Sequence, residues 1–284
     1  MIPVAQVKKD LFYSRDLKDV IDVLKLMALS EFNRLYANVP VEDAVKEHLA
    51  SCFRMLGAAS GKNPFLVENQ SLPAAFLLVC SDESFLGEVN TYVAKTALDQ
   101  ESEKNPLFIV LGERGRQMLE GAGVECIFFP ALENEISMER VKEISCHVMD
   151  LYRTNRIGSF RVIYMEFLSF TSHRTKVTRL LPCMKLLEHV QDTPATRDTL
   201  IEPGSRYIIE YLVKLWLENS MYHIFLSSKL AEWSIKVMRL ENSSDELKDM
   251  VEALKSQHFK SIHELSDKCI REVFAARTAA QGAR

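Results

Sequence analysis

The sequence predicts an α/β protein in which N- and C-terminal helices form an antiparallel coiled coil and carry a central α/β domain. Apolar residues recur at helical spacing towards both ends of the 284-residue chain. In the middle, short apolar runs instead alternate with amphipathic stretches. Two long helices at opposite ends of a chain bury their apolar faces most simply against each other, which favours an antiparallel pair.

The first predicted helix runs from Asp16 to Leu35. Its apolar residues follow steps of three and four with charges between them, and they are Leu17, Val20, Ile21, Leu24, Met27, Ala28, Phe32 and Leu35. Because Met27 belongs to this stripe, we expect it in the core. A second helix is predicted over residues 40–61, since the ring of Pro40 suits a first helical turn and glycines follow at the other end.

The middle of the chain predicts a mostly parallel sheet. Strand-length apolar runs cover residues 73–80, 105–112, 124–130 and 159–170, and residues 174–182 offer a further strand. Helical stretches at 90–104, 113–123 and 137–155 separate them. This βαβ alternation predicts a Rossmann-like α/β domain with helices on both faces of the sheet.

The C-terminal third is predicted to be helical after a linker-like stretch at 189–205. Its last part repeats apolar residues as a coiled-coil seam, at Leu247, Val251, Leu254, Ile262, Leu265, Cys269 and Val273. Ser243 and Glu246 have capping-box spacing, which predicts that the helix restarts there. We therefore divide the chain into residues 1–60 with the N-terminal helices, 61–190 with the α/β domain and 191–284 with the C-terminal helices.

Composition excludes several classes of function. With 35 basic and 39 acidic residues, the net charge of -4 argues against a nucleic-acid partner. The six cysteines form no C-x-x-C pair and the seven histidines no H-x-x-x-H pair, so we expect no metal, no cofactor and a reducing compartment. No apolar run approaches the roughly 20 residues that span a bilayer, so we expect no direct bilayer insertion.

The stretch Cys80–Asn90, CSDESFLGEVN, lies between a predicted strand and a predicted helix. Two interpretations of this stretch are open: it binds a ligand, or it has only a structural role. A loop that cradles phosphate needs several glycines, and this one has only Gly87. Gly112 and Gly115 could open another helix at an anion, but Glu113 between them disfavours it.

The same stretch resembles gamma subunits of F-type rotary ATP synthases. That family has the pattern S-D-x-G-L-C-G-x-F-N at this place, and Ser81, Asp82, Gly87 and Asn90 stand in comparable positions here. Met27 and Ala28 match the first helix of the family, and the order of such short motifs extends over nearly the whole chain. The resemblance implies that the turn is structural and that the chain is a diverged central rotor stalk.

The resemblance also implies partners and contacts. The partners would be the alpha, beta and epsilon subunits and the c-ring, at the cytoplasmic face of a bacterial inner membrane, and catalysis would stay in those partners. The residues expected to contact the head of alpha and beta subunits are Lys25, Glu31, Arg34, Lys260, His263, Asp267 and Lys268. Ile262 and His263 depart from the arginine and glutamine that the family uses to reach the beta subunits.

Two other interpretations stay open. A Rossmann-like enzyme that binds a small ligand would need a pocket outside the strand ends. A non-rotary scaffold that kept the shape of the stalk is supported by the changed residues at 258–269. Glu232 and Lys236, four residues apart, are most simply an intrahelical ion pair.

Overall fold

The computed structural model describes residues 4–37, 39, 48–49, 51–52, 65, 69, 71–100, 105–183 and 204–282. Its elements are, in chain order, α1 (Val4–Tyr36), β1 (Ala74–Val79), α2 (Val89–Leu98), β2 (Leu107–Leu111), α3 (Glu113–Gly121), β3 (Cys126–Phe129), α4 (Met138–Arg153), β4 (Ser159–Ser169), β5 (Ser172–Leu181) and α5 (Ser205–Gly282). Contacts divide the chain into a two-helix unit, Met1–Ala28 with Val237–Arg284, and an α/β unit, Leu29–Lys236.

The α/β unit is built on a five-stranded sheet in the order β3-β2-β1-β4-β5. Strands β1 to β4 pair in parallel, while β5 returns antiparallel beside β4. Every residue of β1 is buried, as expected for a central parallel strand that is covered on both faces. The predicted α/β class, including the additional strand, is confirmed.

Alternating side chains of the sheet belong to two hydrophobic cores, one on each face. Ala75, Leu77 and Val79 of β1 pack in a cluster with α4 and the first part of α5. Ala74, Phe76 and Leu78 point to the other face, where α2 and α3 cover them. The period of two in a strand places successive side chains on opposite faces, so a single strand contributes to both cores.

The two-helix unit pairs α1 with the C-terminal part of α5. Buried residues of α1 recur every seven residues, at Val7, Ser14, Ile21 and Ala28, and α5 buries Val237, Leu240, Ser244 and Val251. The helices are antiparallel, because the Ser14 hydroxyl lies 3.6 Å from Met250 Sδ whereas Ser244 Oγ donates to Asp22 Oδ1 at 2.6 Å. Buried and mostly apolar residues at a seven-residue period indicate a coiled coil, as predicted.

Three predictions about the helices were wrong. Helix α1 begins at Val4, well before Asp16. Helix α5 does not restart at Ser243, because the neighbouring Ser244 is buried and bonds to α1, so packing keeps the backbone helical there. Met27 is 61% exposed, since the seam of α1 runs through Ala28 instead.

The predicted second helix and the predicted domain boundaries stay predictions, because they fall mostly outside the described residues. The predicted helix at 40–61 lies outside the described residues except at 48–49 and 51–52, which are helical. The boundaries at 60/61 and 190/191 also fall outside the described residues.

Gly115 lies where α3 packs on the sheet, and its substitution tests this packing. A Cβ there would stand 2.7 Å from both Cys80 Sγ and Val110 Cγ2. We expect Gly115→Ala to lower the free energy of unfolding by about 1–2 kcal/mol in urea titrations, because overpacking outweighs the gain in helix propensity. Gly121→Ala is the control, since nothing lies within 4 Å of its Cβ position. Equal unfolding midpoints for the two variants would contradict the packing described.

Candidate functional site

The two-helix unit exposes an apolar surface on α1. Tyr13, Leu17, Val20 and Met27 follow steps of four, three and seven residues, so they share one face of the helix, which we call the outer stripe. Tyr13 is 70% exposed and Val20 55%. Large exposed apolar patches on soluble proteins mark sites of interaction with other proteins. The outer stripe is therefore a candidate partner surface.

The C-terminal end of α5 exposes a second apolar surface. All residues from Ile262 to Thr278 are exposed, and we call residues 262–282 the α5 tip. Ile262, Leu265, Ile270, Val273 and Phe274 leave at least 40% of their surface in solvent. The predicted seam thus continues in sequence beyond Val251 but is not buried there. Within the described chain, α1 begins only at Val4, which leaves the tip uncovered.

Four of the predicted head contacts lie at this end of α5. Lys260, His263, Asp267 and Lys268 are exposed, and within the part of the chain that the structure describes they form no ion pair. Lys260, His263 and Asp267 share one helix face, because they are three and four residues apart. Charged and apolar side chains therefore stand beside each other on the α5 tip.

The three predicted contacts on α1 are engaged inside the chain. Lys25 Nζ lies 2.9 Å from Glu241 Oε2 in the two-helix unit, and this hydrogen bond raises the pKa of Lys25. In the α/β unit, Arg34 pairs with Glu31 at 2.9 Å and donates to the carbonyl of Asn134 at 3.3 Å. Pairs of this kind on the surface contribute about 0–1 kcal/mol, so a partner could exchange them at low cost.

The serine–aspartate turn is held by bonds within the chain. Asn90 accepts from the backbone N–H of Ser81 at 3.0 Å and donates to its carbonyl at 2.6 Å. The carboxylate of Asp82 accepts from the backbone N–H groups of Glu113 and Arg114 at 3.1 and 3.0 Å. Gly87 has φ 64°, a conformation that favours glycine.

Asp82 occupies the place where a phosphate would bind. The first N–H groups of α3 point out of the helix, and in Rossmann-like proteins such groups hold the phosphates of a ligand. Here the carboxylate of Asp82 takes two of them. At Gly112 a Cβ would meet the carbonyl of Cys80 at 3.1 Å, so this glycine makes room for the chain itself. The geometry thus gives the nucleotide interpretation no support.

A cavity of about 520 Å³ lies elsewhere in the α/β unit. It is bounded by the β4–β5 hairpin and α5, with Glu166, Lys176, Trp216 and His223 among its lining residues. Burial alone raises the pKa of Glu166, but hydrogen bonds from Lys176 and Arg174 lower it overall. Among the described residues that line it, none belongs to β1, β2 or β3. This cavity is therefore not the crevice at the strand ends that the enzyme interpretation requires.

Charges that the sequence did not reveal are buried where α5 crosses the sheet. Lys229 and Glu232 are 1% and 5% exposed, and Lys229 Nζ lies 2.8 Å from Glu232 Oε2. Lys236 instead bonds to Glu83 Oε2 at 2.8 Å. The predicted Glu232–Lys236 pair is therefore wrong. The i, i+3 spacing of Lys229 and Glu232 was the available signal, but spacing alone does not distinguish the two pairs.

Neighbouring polar groups complete this contact between α5 and the sheet. Ser227 Oγ accepts from the backbone N–H of Phe167 at 3.1 Å. Ser234 Oγ donates to the carbonyl of Ala231 and lies 2.6 Å from His173 Nε2, so the histidine donates to it. Burial lowers the pKa of His173, which favours its neutral form.

The described residues form neither a metal site nor a membrane-spanning helix. Among them, no group of three or more His, Cys, Asp or Glu side chains could hold a metal ion. In that same part of the chain, each helix is too short or too polar to cross a membrane.

The cap formed by Asp82 can be tested by substitution. We expect Asp82→Ala to lower the free energy of unfolding by about 1 kcal/mol in urea titrations, because two N–H groups of α3 lose their acceptor. Asp82→Asn should lose less, since one acceptor oxygen remains. The control is Glu125→Ala, an exposed acid two residues after Gly123. A cost for Glu125→Ala as large as that for Asp82→Ala would argue against the cap.

Comparison with known proteins identifies the family of the chain. The family model described as ATP synthase matches residues 5–261. The ATP synthase gamma chain of Clostridium acetobutylicum is 24% identical over 243 residues, which cover 84% of each chain. That of Staphylococcus carnosus is 20% identical over 280 residues, which cover 94% of this chain and 95% of the relative.

A solved structure has a similar fold. A chain in the cryo-EM structure of the Euglena gracilis mitochondrial ATP synthase, OSCP/F1/c-ring in rotational state 3, aligns with a TM-score of 0.67 at 12% identity. The alignment covers 99% of this chain and 95% of that one. The resemblance inferred from the sequence motifs is confirmed: the chain belongs to the ATP synthase family and, within it, to the gamma chains.

Proposed function

We propose that this chain is the central-stalk subunit of a rotary ATP synthase, which couples rotation of a membrane c-ring to ATP synthesis or hydrolysis in a head of alpha and beta subunits. One observation carries the proposal: a gamma-family chain exposes the apolar side chains of the α5 tip. Apolar surface of this extent is unfavourable in water and calls for a covering partner. In the gamma family, to which the chain belongs, the partner of this helix end is the head of alpha and beta subunits.

Sequential contact explains the coupling. The outer stripe of α1 and the α5 tip are two different surfaces, so the two-helix unit is asymmetric about its axis. When an asymmetric shaft turns, each catalytic subunit meets a different surface in succession. A contact that is stronger in one conformation of the subunit shifts its population towards that conformation. Rotation and the affinity of the catalytic sites for nucleotide are thereby linked.

We infer that the chemistry takes place in the partner subunits. Asp82, which follows β1, is committed to the start of α3, and the buried Glu232 of α5 is committed to Lys229. The family further suggests an epsilon subunit as partner and a peripheral position at the membrane. The resemblance further implies that this position is at the cytoplasmic face of a bacterial inner membrane.

Lys260, His263, Asp267 and Lys268 are the head contacts that the geometry favours. They are exposed and adjoin the apolar side chains of the α5 tip. Lys25, Glu31 and Arg34 can join only by exchanging the partners that they have inside the chain. Ile262, in place of the arginine of the family, makes this contact more apolar than the resemblance alone implies.

Assembly tests the proposed function directly. This chain is co-expressed with the alpha and beta subunits encoded beside it, purified through a tag on this chain, and assayed for composition and ATP hydrolysis. We expect three alpha, three beta and one copy of this chain, with ATP hydrolysed by the complex and not by the chain alone. Recovery of the folded chain without those subunits would overturn the proposal and favour the non-rotary scaffold.

Charge removal at the C-terminal end of α5 tests the predicted contacts. We expect Lys260→Ala combined with Lys268→Ala to lower ATP hydrolysis by the assembled complex by about two- to fivefold, because contacts with the head are lost. The thermal unfolding of the isolated chain should stay unchanged, since both side chains are exposed. Lys248→Ala combined with Lys255→Ala, exposed lysines earlier on the same helix, is the matched control. Equal effects of both pairs would remove these residues from the contact.

A further inference from the structure

The proposed function gives no role to two polar bonds between α1 and α5 in the two-helix unit. Ser244 Oγ donates to Asp22 Oδ1 at 2.6 Å, and Lys25 Nζ lies 2.9 Å from Glu241 Oε2. Hydrogen bonds from Lys18 and from Ser244 lower the pKa of Asp22, so the acceptor is a carboxylate at neutral pH. We call Asp22, Lys25, Glu241 and Ser244 the register group.

Both bonds belong to a single register of the antiparallel pair. Asp22 and Lys25 are three residues apart on α1, and their partners Ser244 and Glu241 are three residues apart in the opposite direction on α5. Because antiparallel helices advance in opposite directions, the two bonds form together in this register. A slip of α5 along α1 therefore breaks both bonds at once.

The apolar seam of the two-helix unit selects this register only weakly. Buried residues of α1 recur every seven residues, and on α5 Val237, Ser244 and Val251 have the same period. Side chains that repeat every seven residues can interdigitate again after a slip of one heptad. The seam also contains the small residues Ser14 and Ala28. Small side chains bury little apolar area, so the seam alone separates neighbouring registers by little free energy.

The competing register is a slip of one heptad that brings the start of α1 nearer to the α5 tip. Covering the exposed apolar side chains of the tip is favourable, so the tip itself promotes this slip. In the slipped register Val251 would stand opposite Asp22, and Lys248 would stand opposite Lys25. The carboxylate of Asp22 would lose its hydroxyl donor, and Lys25 would meet a like charge in place of Glu241.

Polar groups in a coiled-coil seam lower its stability but specify its register. Of the three α5 residues with the seven-residue period, Ser244 has a hydroxyl for Asp22, whereas Val237 and Val251 have no donor. A lost hydrogen bond to a charged group changes the ratio of two registers by roughly tenfold, and a lost surface ion pair by up to about fivefold. The register group can therefore decide the register although it adds little to stability.

We propose that Asp22 and Lys25 are positioning residues that select one register of the antiparallel pair through their bonds to Ser244 and Glu241. The register fixes how far the α5 tip stands along the helix axis from the outer stripe of α1. The role of this spacing in coupling rests on the proposed function, because both surfaces must meet the head together. The register itself is a property of the isolated chain and can be measured there.

Disulfide trapping in the full-length chain measures the register directly. Ser14→Cys with Met250→Cys, at side chains that lie 3.6 Å apart, is the observed pair, and Ser14→Cys with Gln257→Cys is the slipped pair. The exposed cysteines are first replaced by serine, and they are Cys52, Cys146 and Cys269. With the register group intact, we expect the observed pair to form its disulfide at least about tenfold faster under the same oxidant, measured by mass spectrometry of peptides.

Removal of the register group tests its role. Ser244→Val combined with Lys25→Ala abolishes both bonds and makes the seam of α5 uniform. We expect the slipped pair to gain about tenfold or more relative to the observed pair, while the thermal unfolding temperature does not fall. A merely stabilising role predicts the opposite, a lower unfolding temperature with an unchanged ratio. The matched control is Asp16→Ala with Glu252→Ala, exposed acids of the same two helices without an ion pair among the described residues, and it should change neither quantity.

A second variant moves the polar pattern of α5 by one heptad. It combines Ser244→Val with Val251→Ser and Glu241→Lys with Lys248→Glu, so the composition of the helix stays the same. We expect the slipped pair to become the faster one. This variant also carries the test if the first one does not fold.

The outcomes separate the two proposals. Continued preference for the observed pair after the polar pattern is moved overturns the register group, and so does a slipped pair that is as fast as the observed pair in the unaltered seam. A wild-type chain that prefers the observed pair but assembles no complex with alpha and beta subunits overturns the proposed function instead.

Discussion

Helix α5 must bury a different fraction of its surface in each part of its length, and the other elements are arranged around this constraint. Between Ile209 and Leu240 it is buried on most sides, and the buried residues include the charged pair Lys229 and Glu232. From Ser244 to Val251 it buries only the seam that faces α1. From Ile262 onwards all described side chains are exposed. A single helix can satisfy these environments because its hydrogen bonds are internal, so only its side chains need to change along its length.

The sequence predicted the fold well where one periodicity dominates. The strands of the α/β unit are short apolar runs between turn residues, and their length and their alternation with amphipathic stretches identify them. Prediction failed where two signals competed. Ser243 and Glu246 have the spacing of a helix start, but tertiary packing at Ser244 overrides this local preference. On α1, two apolar faces overlap in sequence, so periodicity alone could not show that Ala28 is buried while Met27 faces solvent.

The candidate site was less accessible to sequence reasoning for a physical reason. The α5 tip was predicted as part of the buried seam, because a stripe that packs within the chain and a stripe that packs on a partner have the same spacing. Only the position of α1 separates them, since it leaves Leu265 and Val273 uncovered in the described chain. The pairing of the buried charges was hidden for a similar reason. Lys229 and Lys236 both stand at helical spacing from Glu232, and the sheet, far away in sequence, decides which lysine pairs with it.

The distribution of directional and non-directional contacts follows the mechanical task that we propose. Hydrogen-bonded charges have a narrow range of good geometry, so the pair of Lys236 and Glu83 between α5 and the turn after β1 is a directional contact. Apolar contacts depend mainly on area and much less on angle, so the outer stripe of α1 and the α5 tip can meet successive partner surfaces without a large barrier between them. A shaft needs directional contacts where it must not slip and apolar, non-directional contacts where it must turn. Because Ile262 stands where the family has a charged residue, the α5 tip depends more on apolar, non-directional contacts.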